Sequence, residues 1–159
     1  MKLYIKQRVF SIGDKYDVYD EYQNPVFQVQ SEIFTLAAKI HINDNFGNEI
    51  YYIQRKVFSF MAQYEIYHKG VLSARLKQNF SFFRGKLSIE SEYGDFQIEG
   101  NLIGHEYVVY QNGRVLGSVL KKWLSWSDVY ELTITDQNDA AFFAAVVIAI
   151  DNCLHNDKK

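Results

Sequence analysis

Between Ala140 and Ile150 the chain reads AAFFAAVVIAI, eleven apolar residues in a row with polar residues on both flanks. As a helix this segment has no face that suits water. It would rise about 16 Å at about 1.5 Å per residue, whereas a bilayer core takes about 20 apolar residues, so neither a transmembrane span nor a tail anchor is expected. Ala144, Ala145 and Ala149 favour close approach of neighbouring elements, where an anchor would be longer and richer in leucine. Such a helix has to be wrapped by protein. Nearly everything upstream reads as strands able to wrap it, so the expectation is a mainly β (α+β) fold: a closed antiparallel barrel around a buried C-terminal helix over about residues 138–154.

Turn chemistry punctuates short alternating runs about every ten residues, the spacing of a sandwich or barrel. Leu3 to Phe10 reads as a first strand with an exit turn at Ser11 to Asp14. Tyr16 to Glu21 pairs with Val26 to Gln30 across Tyr22 to Pro25, and Ala37 to Ile42 with Glu49 to Arg55 across Asn43 to Asn48. Tyr64 to Tyr67 and Val71 to Lys77 flank His68-Lys69-Gly70. Phe80 to Phe83, Lys86 to Ser91 and Phe96 to Glu99 continue the meander. Tyr107 to Tyr110 and Val115 to Leu120 enclose Asn112-Gly113, a strong hairpin signal, and Val129 to Thr135 is the last strand. Asp136 or Asn138 is expected to cap the helix, with Asp139 in its first turn.

Twelve Tyr and 12 Phe fit a strand-rich chain, because rings pack well on pleated surfaces. The 159 residues read as one domain, 1–159. Lysine plus arginine total 17 against 19 acidic residues, a formal net charge of -2, which gives no overall attraction to nucleic acid and confines any anion site to a local patch. One cysteine, Cys153, excludes an internal disulfide, and the N-terminus lacks a signal peptide's apolar core and cleavage site. A cytoplasmic protein, peripheral to the membrane if it meets one, is the expectation.

The segment Lys121 to Leu132 (KKWLSWSDVYEL), followed by a strand and an apolar helix ending Ala149-Ile150-Asp151, resembles the C-terminal signature of the LURP-one-related family. Asp44 to Glu49 and the following Ile50 to Lys56 resemble that family's Asp-x-x-Gly hairpin and Ile-x-x-Lys/Arg strand, and Tyr107 to Lys122 resembles its hairpin leading into a basic, tryptophan-containing strand. The resemblance covers most of the chain. It implies a tubby C-terminal-like, phospholipid scramblase-like barrel of about twelve strands around a central hydrophobic helix. Tubby-like proteins bind phosphoinositides and scramblases act on lipid membranes, but fold transfers more readily than function, and no enzymatic site comes with the family.

The residues add little chemistry of their own. His41, His68, His105 and His155 have no metal-ligand spacing. Cys153 and His155 are two apart on a helix and face different directions, so Cys153 reads as a small hydrophobe. Asp14, Asp17, Asp20 and Glu21 lack the ligand ladder and glycine of a calcium loop, and the Asp44 segment reads as a turn with positive φ at Gly47. No phosphate-cradling glycine loop is present. Neither enzyme activity, metal nor cofactor is expected.

Basic residues give the functional lead. Alternation puts Leu72, Ala74 and Leu76 on one face of their strand and Arg75 and Lys77 on the other. Arg84 and Lys86 stand outward beside inward Leu87 and Ile89. If these strands are neighbours, the four cations form a patch for a phospholipid headgroup or another anionic ligand; the plainer reading is a charged face that keeps a barrel soluble. A second group joins Arg114 to Lys121 and Lys122 beside Trp123 and Trp126, which otherwise serve as packing at the barrel's end. The alternative function is a structural or protein-interaction domain whose exposed tyrosines and strand edges contact another polypeptide.

Overall fold

Alternating runs broken by glycine- and asparagine-containing turns can satisfy their backbone groups only by pairing in sequence, and they do so here until the sheet closes. The computed structural model of the chain describes residues 1–8, 13, 15–124, 127–135 and 139–156, without the side chains of residues 123, 124, 155 and 156. Among these residues there are twelve strands: β1 (Lys2–Gln7), β2 (Lys15–Asp20), β3 (Pro25–Ser31), β4 (Lys39–Asn43), β5 (Glu49–Arg55), β6 (Gln63–His68), β7 (Val71–Lys77), β8 (Lys86–Ser91), β9 (Phe96–Asn101), β10 (Glu106–Gln111), β11 (Arg114–Leu124) and β12 (Ser127–Ile134). Each pairs antiparallel with its sequence neighbours, and β12 pairs with β1 to close the barrel. A single turn of helix, α1 (Phe80–Phe83), joins β7 to β8, and α2 (Ala140–Asn156) follows β12.

Barrel diameter grows with strand number, and side chains alone fill only about eight strands. Twelve strands enclose a wider lumen, which here takes a helix about 10–12 Å across. Every residue of α2 from Ala141 to Cys153 is buried. Around it stand the inward residues of the strands, among them Ile5, Val18, Ile42, Ile53, Ile66 and Leu132, all fully buried. No helix of the described residues is long and apolar enough to cross a membrane.

Two carboxyl groups pin the helix. Asp139 accepts the backbone N–H of Phe142 at 3.0 Å and, on its other oxygen, the hydroxyl of Tyr51 on β5 at 2.6 Å. At the far end Asp151, 1% exposed, accepts hydroxyls from Tyr16 on β2 at 2.6 Å and Tyr130 on β12 at 2.8 Å. His105 Nε2 lies 3.3 Å from Asp151 and its ring packs on Tyr130 with centroids 4.6 Å apart. Burial, together with the charge of Asp151, pushes the Tyr107 and Tyr130 hydroxyls well above the ordinary tyrosine range.

The hairpins at the end where α2 begins share a device. In Asp20 to Asn24 and again in Asp44 to Asn48, one aspartate oxygen accepts two backbone N–H groups and the other accepts the asparagine side chain, all at 2.8–2.9 Å. Gln23 and Gly47 hold the positive φ that closes each turn. A one-residue bulge follows, leaving Val26 and Ile50 out of the ladder.

The structure departs from the sequence expectations in four places. Phe80 to Phe83 is helical because Asn79 caps it, accepting the N–H of Phe82 at 3.2 Å, which overrides the aromatic preference for strands. Leu72 is outward, not inward: Ala74 is opposite Ile66 and Leu72 opposite Tyr67, so Ser73 is an extra residue that reverses the alternation. Asp139 is the helix cap, while Asp136 and Asn138 lie outside the described residues. The helix accordingly runs from Ala140 to Asn156.

Two outcomes test this packing. Val147→Asp places an unpaired carboxylate in the lumen, a cost of several kcal/mol, and is expected to abolish cooperative folding as read by circular dichroism and thermal melting. Asp151→Ala is expected to lower unfolding free energy by about 3–5 kcal/mol and Tyr16→Phe by about 1–3 kcal/mol. In denaturant titrations the double variant should lose clearly less than the sum, because both changes break one bond network.

Candidate functional site

In a closed antiparallel barrel alternate connections share an end, so the chain's loops fall into two sets. The end where α2 starts has short hairpins, including the two aspartate turns and Asn112-Gly113, and is plugged by Phe142, Phe143, Phe96 and Tyr93 with ring centroids 5.2–5.9 Å apart. Tyr22, Phe46 and Tyr93 are exposed on its turns and Val71 and Val115 beside them. The opposite end, the open rim, carries the longer connections: 32–38, 56–62, 78–85 and 102–105 among the described residues.

These rim loops hold apolar side chains in water. Phe34, Leu36, Phe58 and Phe60 are wholly exposed, at 99%, 98%, 101% and 104%, and Ile33, Val57, Phe80, Phe83 and Ile103 are exposed beside them in the same loop set. Phe34 adopts φ of 59°, a left-handed backbone that a bulky residue seldom takes. Monomers rarely display large contiguous apolar surface without using it, and nothing in the barrel's core requires these tips. Cations at the same rim without an ion pair to a described residue include Lys15 at the start of β2, Arg55 at the end of β5, Lys77 at the end of β7, and Arg84 just after α1.

Two cavities open beside these loops and both have Arg55 in the wall. One, of about 360 Å³, lies against residues 31–38 and reaches Asn152 of α2; its lining includes Ser31, Glu32, Phe34 and Leu36. The other, of about 400 Å³, lies against Lys56, Val57 and Phe58. Glu32 is engaged elsewhere, by His41 Nε2 at 2.8 Å and Lys39 at 3.8 Å. A buried oxygen, Ser31 Oγ, has no hydrogen-bond partner among the described residues.

The seven basic residues singled out from sequence are distributed differently. Strands β7 and β8 are neighbours, but Arg75 is opposite Glu90 and Glu65 and lies 3.4 Å from Glu65 and 3.9 Å from Glu90. Lys86 is 3.8 Å from Glu99. Lys77 and Arg84 reach the rim. The second group is divided: Arg114 opens β11 at the hairpin end, and Lys121 lies seven residues along it, about 23 Å away at about 3.3 Å per residue. Lys121 meets Asp128 at 2.9 Å and Lys122 meets Glu131 at 3.6 Å. The side chain of Trp123 and all of Trp126, Asp14 and the side chain of His155 lie outside the described residues.

Other candidates are taken up by structure. Asp17 binds Arg8 at 2.6 Å, and Asp20 spends both oxygens on its own hairpin, whose Asn24 holds its carboxyl below the usual range. Cys153 is fully buried. Among the described residues no three His, Cys, Asp or Glu side chains are grouped as a metal would need. The His105, Tyr16, Tyr130 and Asp151 cluster is enclosed in the barrel, with His105 only 3% exposed.

Sequence reasoning missed Arg55 and the rim tips. The available signal was that Ile33 to Leu36, Val57 to Phe60 and Phe80 to Phe83 are apolar segments lying between strands, where turns are normally polar.

The family model for LURP-one-related proteins matches residues 1–151. The chain is 30% identical over 158 residues to the uncharacterized protein YxjI of Bacillus subtilis (strain 168), covering 99% of this chain and 96% of that one. An X-ray structure of a protein from Arabidopsis thaliana matches with a TM-score of 0.68 at 18% identity, covering 95% of this chain and 90% of the other; this likeness shows the shared fold, mainly β.

One expectation concerns the wall of the first cavity. His41 is held between Glu49, 2.6 Å from Nδ1, and Glu32, 2.8 Å from Nε2. Burial pushes its pKa down, but the two carboxylates prevail and raise it above the ordinary value. The protonated clamp thus stabilises the fold fully below about pH 6.5 and its contribution disappears as pH rises through the raised value. Chemical denaturation of His41→Gln should show a stability deficit at pH 6 that shrinks above pH 8; a deficit independent of pH would refute the clamp.

Proposed function

The chain belongs to the LURP-one-related family, and we propose that it is a non-enzymatic module that docks its open rim on the surface of an anionic phospholipid bilayer. The single observation that carries this reading is the set of wholly exposed Phe34, Leu36, Phe58 and Phe60 at the rim that also bears Arg55, Lys77 and Arg84. Apolar tips enter the acyl boundary while cations meet headgroup phosphates, the division of labour of interfacial elements. Each cation near an anionic surface contributes about 1 kcal/mol. A fully buried phenylalanine or leucine side chain contributes about 1.5–3 kcal/mol, so insertion outweighs charge in a chain whose formal net charge is -2.

The lipid-directed activities of tubby-like proteins and scramblases, whose barrels the family resembles, agree with this reading. Support for a non-enzymatic role is the enclosure of the His105 and Asp151 cluster, 3% and 1% exposed, away from any substrate in solution.

Cosedimentation with vesicles of neutral lipid, phosphatidylserine and phosphatidic acid, at low and physiological salt, tests it. The wild type is expected to pellet with anionic vesicles at physiological salt. Phe34→Ser with Phe58→Ser should weaken binding at least tenfold, since tenfold corresponds to about 1.4 kcal/mol, without shifting the melting temperature, because both side chains are outside the core. Absence of vesicle binding overturns the reading; if the wild type instead self-associates and the double variant does not, the rim is a protein surface.

A further inference from the structure

The inward face of a barrel strand is normally apolar at every second residue, and β3 and β5 keep that rule until their last rung. On β3, Val29 is buried opposite Ile42, and two residues on Ser31 stands opposite the fully buried Ile40. On β5, Ile53 is buried opposite Ile66, and two residues on Arg55 stands opposite the fully buried Tyr64. A hydroxyl and a guanidinium thus take the inward positions at the barrel mouth, above Asn152 near the end of α2, and both line the cavity of about 360 Å³. Ser31 Oγ is buried and without a hydrogen-bond partner among the described residues, a cost of about 1–3 kcal/mol unless a ligand supplies the partner. Arg55 makes no ion pair to a described residue.

Arginine offers a planar fork of N–H donors that matches two oxygens of one phosphate, and a serine hydroxyl adds a third donor. The outer wall of the same cavity is Phe34 and Leu36, wholly exposed. The polar floor and apolar lip have the order of a phospholipid, with headgroup inward and acyl chains alongside the tips. Glu32 also lines the space, and its carboxylate is answered by Lys39 and His41. The volume falls within the roughly 300–1,000 Å³ of small-molecule sites.

Resting on the bilayer docking described above, we infer that this cavity seats the terminal phosphate of a membrane lipid, a phosphomonoester headgroup such as that of phosphatidic acid, gripped by Arg55 and Ser31. A phosphomonoester has three free oxygens for these three donors and a greater charge than a diester, so the site discriminates between headgroups where the rim alone reads only surface charge.

Two arms test it. Vesicles of phosphatidic acid and of phosphatidylserine, matched for surface charge, should be bound by the wild type with about a tenfold preference for phosphatidic acid. Arg55→Gln should abolish the preference while lowering phosphatidylserine binding by no more than about fivefold, the share of one docking cation, and Arg55→Lys should restore the preference only in part, as it keeps the charge and loses the fork. Equal loss on both vesicles, or no loss on either, overturns the site. Independently of any bilayer, isothermal titration with glycerol 3-phosphate should show binding that Arg55→Gln removes and that inorganic phosphate displaces. Retention of this soluble binding with no vesicle binding keeps the site and sinks the docking; vesicle binding without headgroup preference or soluble binding does the reverse. Ser31→Ala, read in the same assays, serves if Arg55→Gln lowers the melting temperature.

Discussion

A lumen too wide for strand side chains to fill has to be occupied, and in this protein one helix occupies it. That requirement places a whole helix, with its unsatisfied terminal backbone groups, inside a closed sheet. The solution ties the helix to the barrel wall through two carboxylates. Asp139 satisfies the helix start and takes the Tyr51 hydroxyl, and Asp151 takes hydroxyls from β2 and β12 near the helix end. Between them the contact is apolar all round, and Ala144, Ala145 and Ala149 bring the backbone close to the strands. Because the sheet closes on itself it has no free edge to pair with another chain, and its faces are committed: inward to the helix, outward to cross-strand ion pairs such as Arg75 with Glu65 and Glu90.

What such a barrel can offer to another molecule is therefore concentrated at its ends, and the ends differ. The hairpins beside the start of α2 consume their polar groups internally: Asp20 and Asp44 each close their own turn, and the rings of Phe142, Phe143 and Phe96 seal the lumen beneath. The opposite rim is built from longer loops that bury Ala62, Phe82 and Leu102 but leave Phe34, Leu36, Phe58 and Phe60 outside the core. Water exposure of Phe34, Leu36, Phe58 and Phe60 is unfavourable in the isolated protein, and removal from water on a second surface recovers that free energy.

The closed barrel and its helix were legible because both rest on periodicity. A period of two with turn residues at regular spacing defines hairpins, and eleven apolar residues in succession define a buried helix. Leu72 was misplaced because a bulge at Ser73 inverts the period, which alternation alone does not register. The charged residues were less legible for a related reason: whether Arg75 or Lys86 is available depends on the residue opposite, and only register places Glu90 beside one and Glu99 near the other. Arg114 and Lys121 look close along the sequence, yet an extended strand carries them to opposite ends. Loops have no period at all, so alternation carries no signal for the exposure of Phe34, Phe58 and Phe60.

The polarity of the rim is the reverse of what a barrel mouth in water would favour. Apolar side chains project outward from the loops while Ser31 and Arg55 take inward positions one rung above Val29 and Ile53. In water this arrangement exposes hydrocarbon and leaves the mouth's polar groups underused. At a bilayer surface both features are satisfied together, because the medium itself changes from headgroup to acyl chain within a few ångströms and the cavity spans that change from Arg55 to Leu36. A protein partner would satisfy the apolar tips equally well, but it gives no particular reason for an arginine at an inward position of the mouth without an ion pair to a described residue. The inverted polarity of the rim, more than its exposed hydrocarbon, is the feature on which the proposed amphiphilic ligand rests.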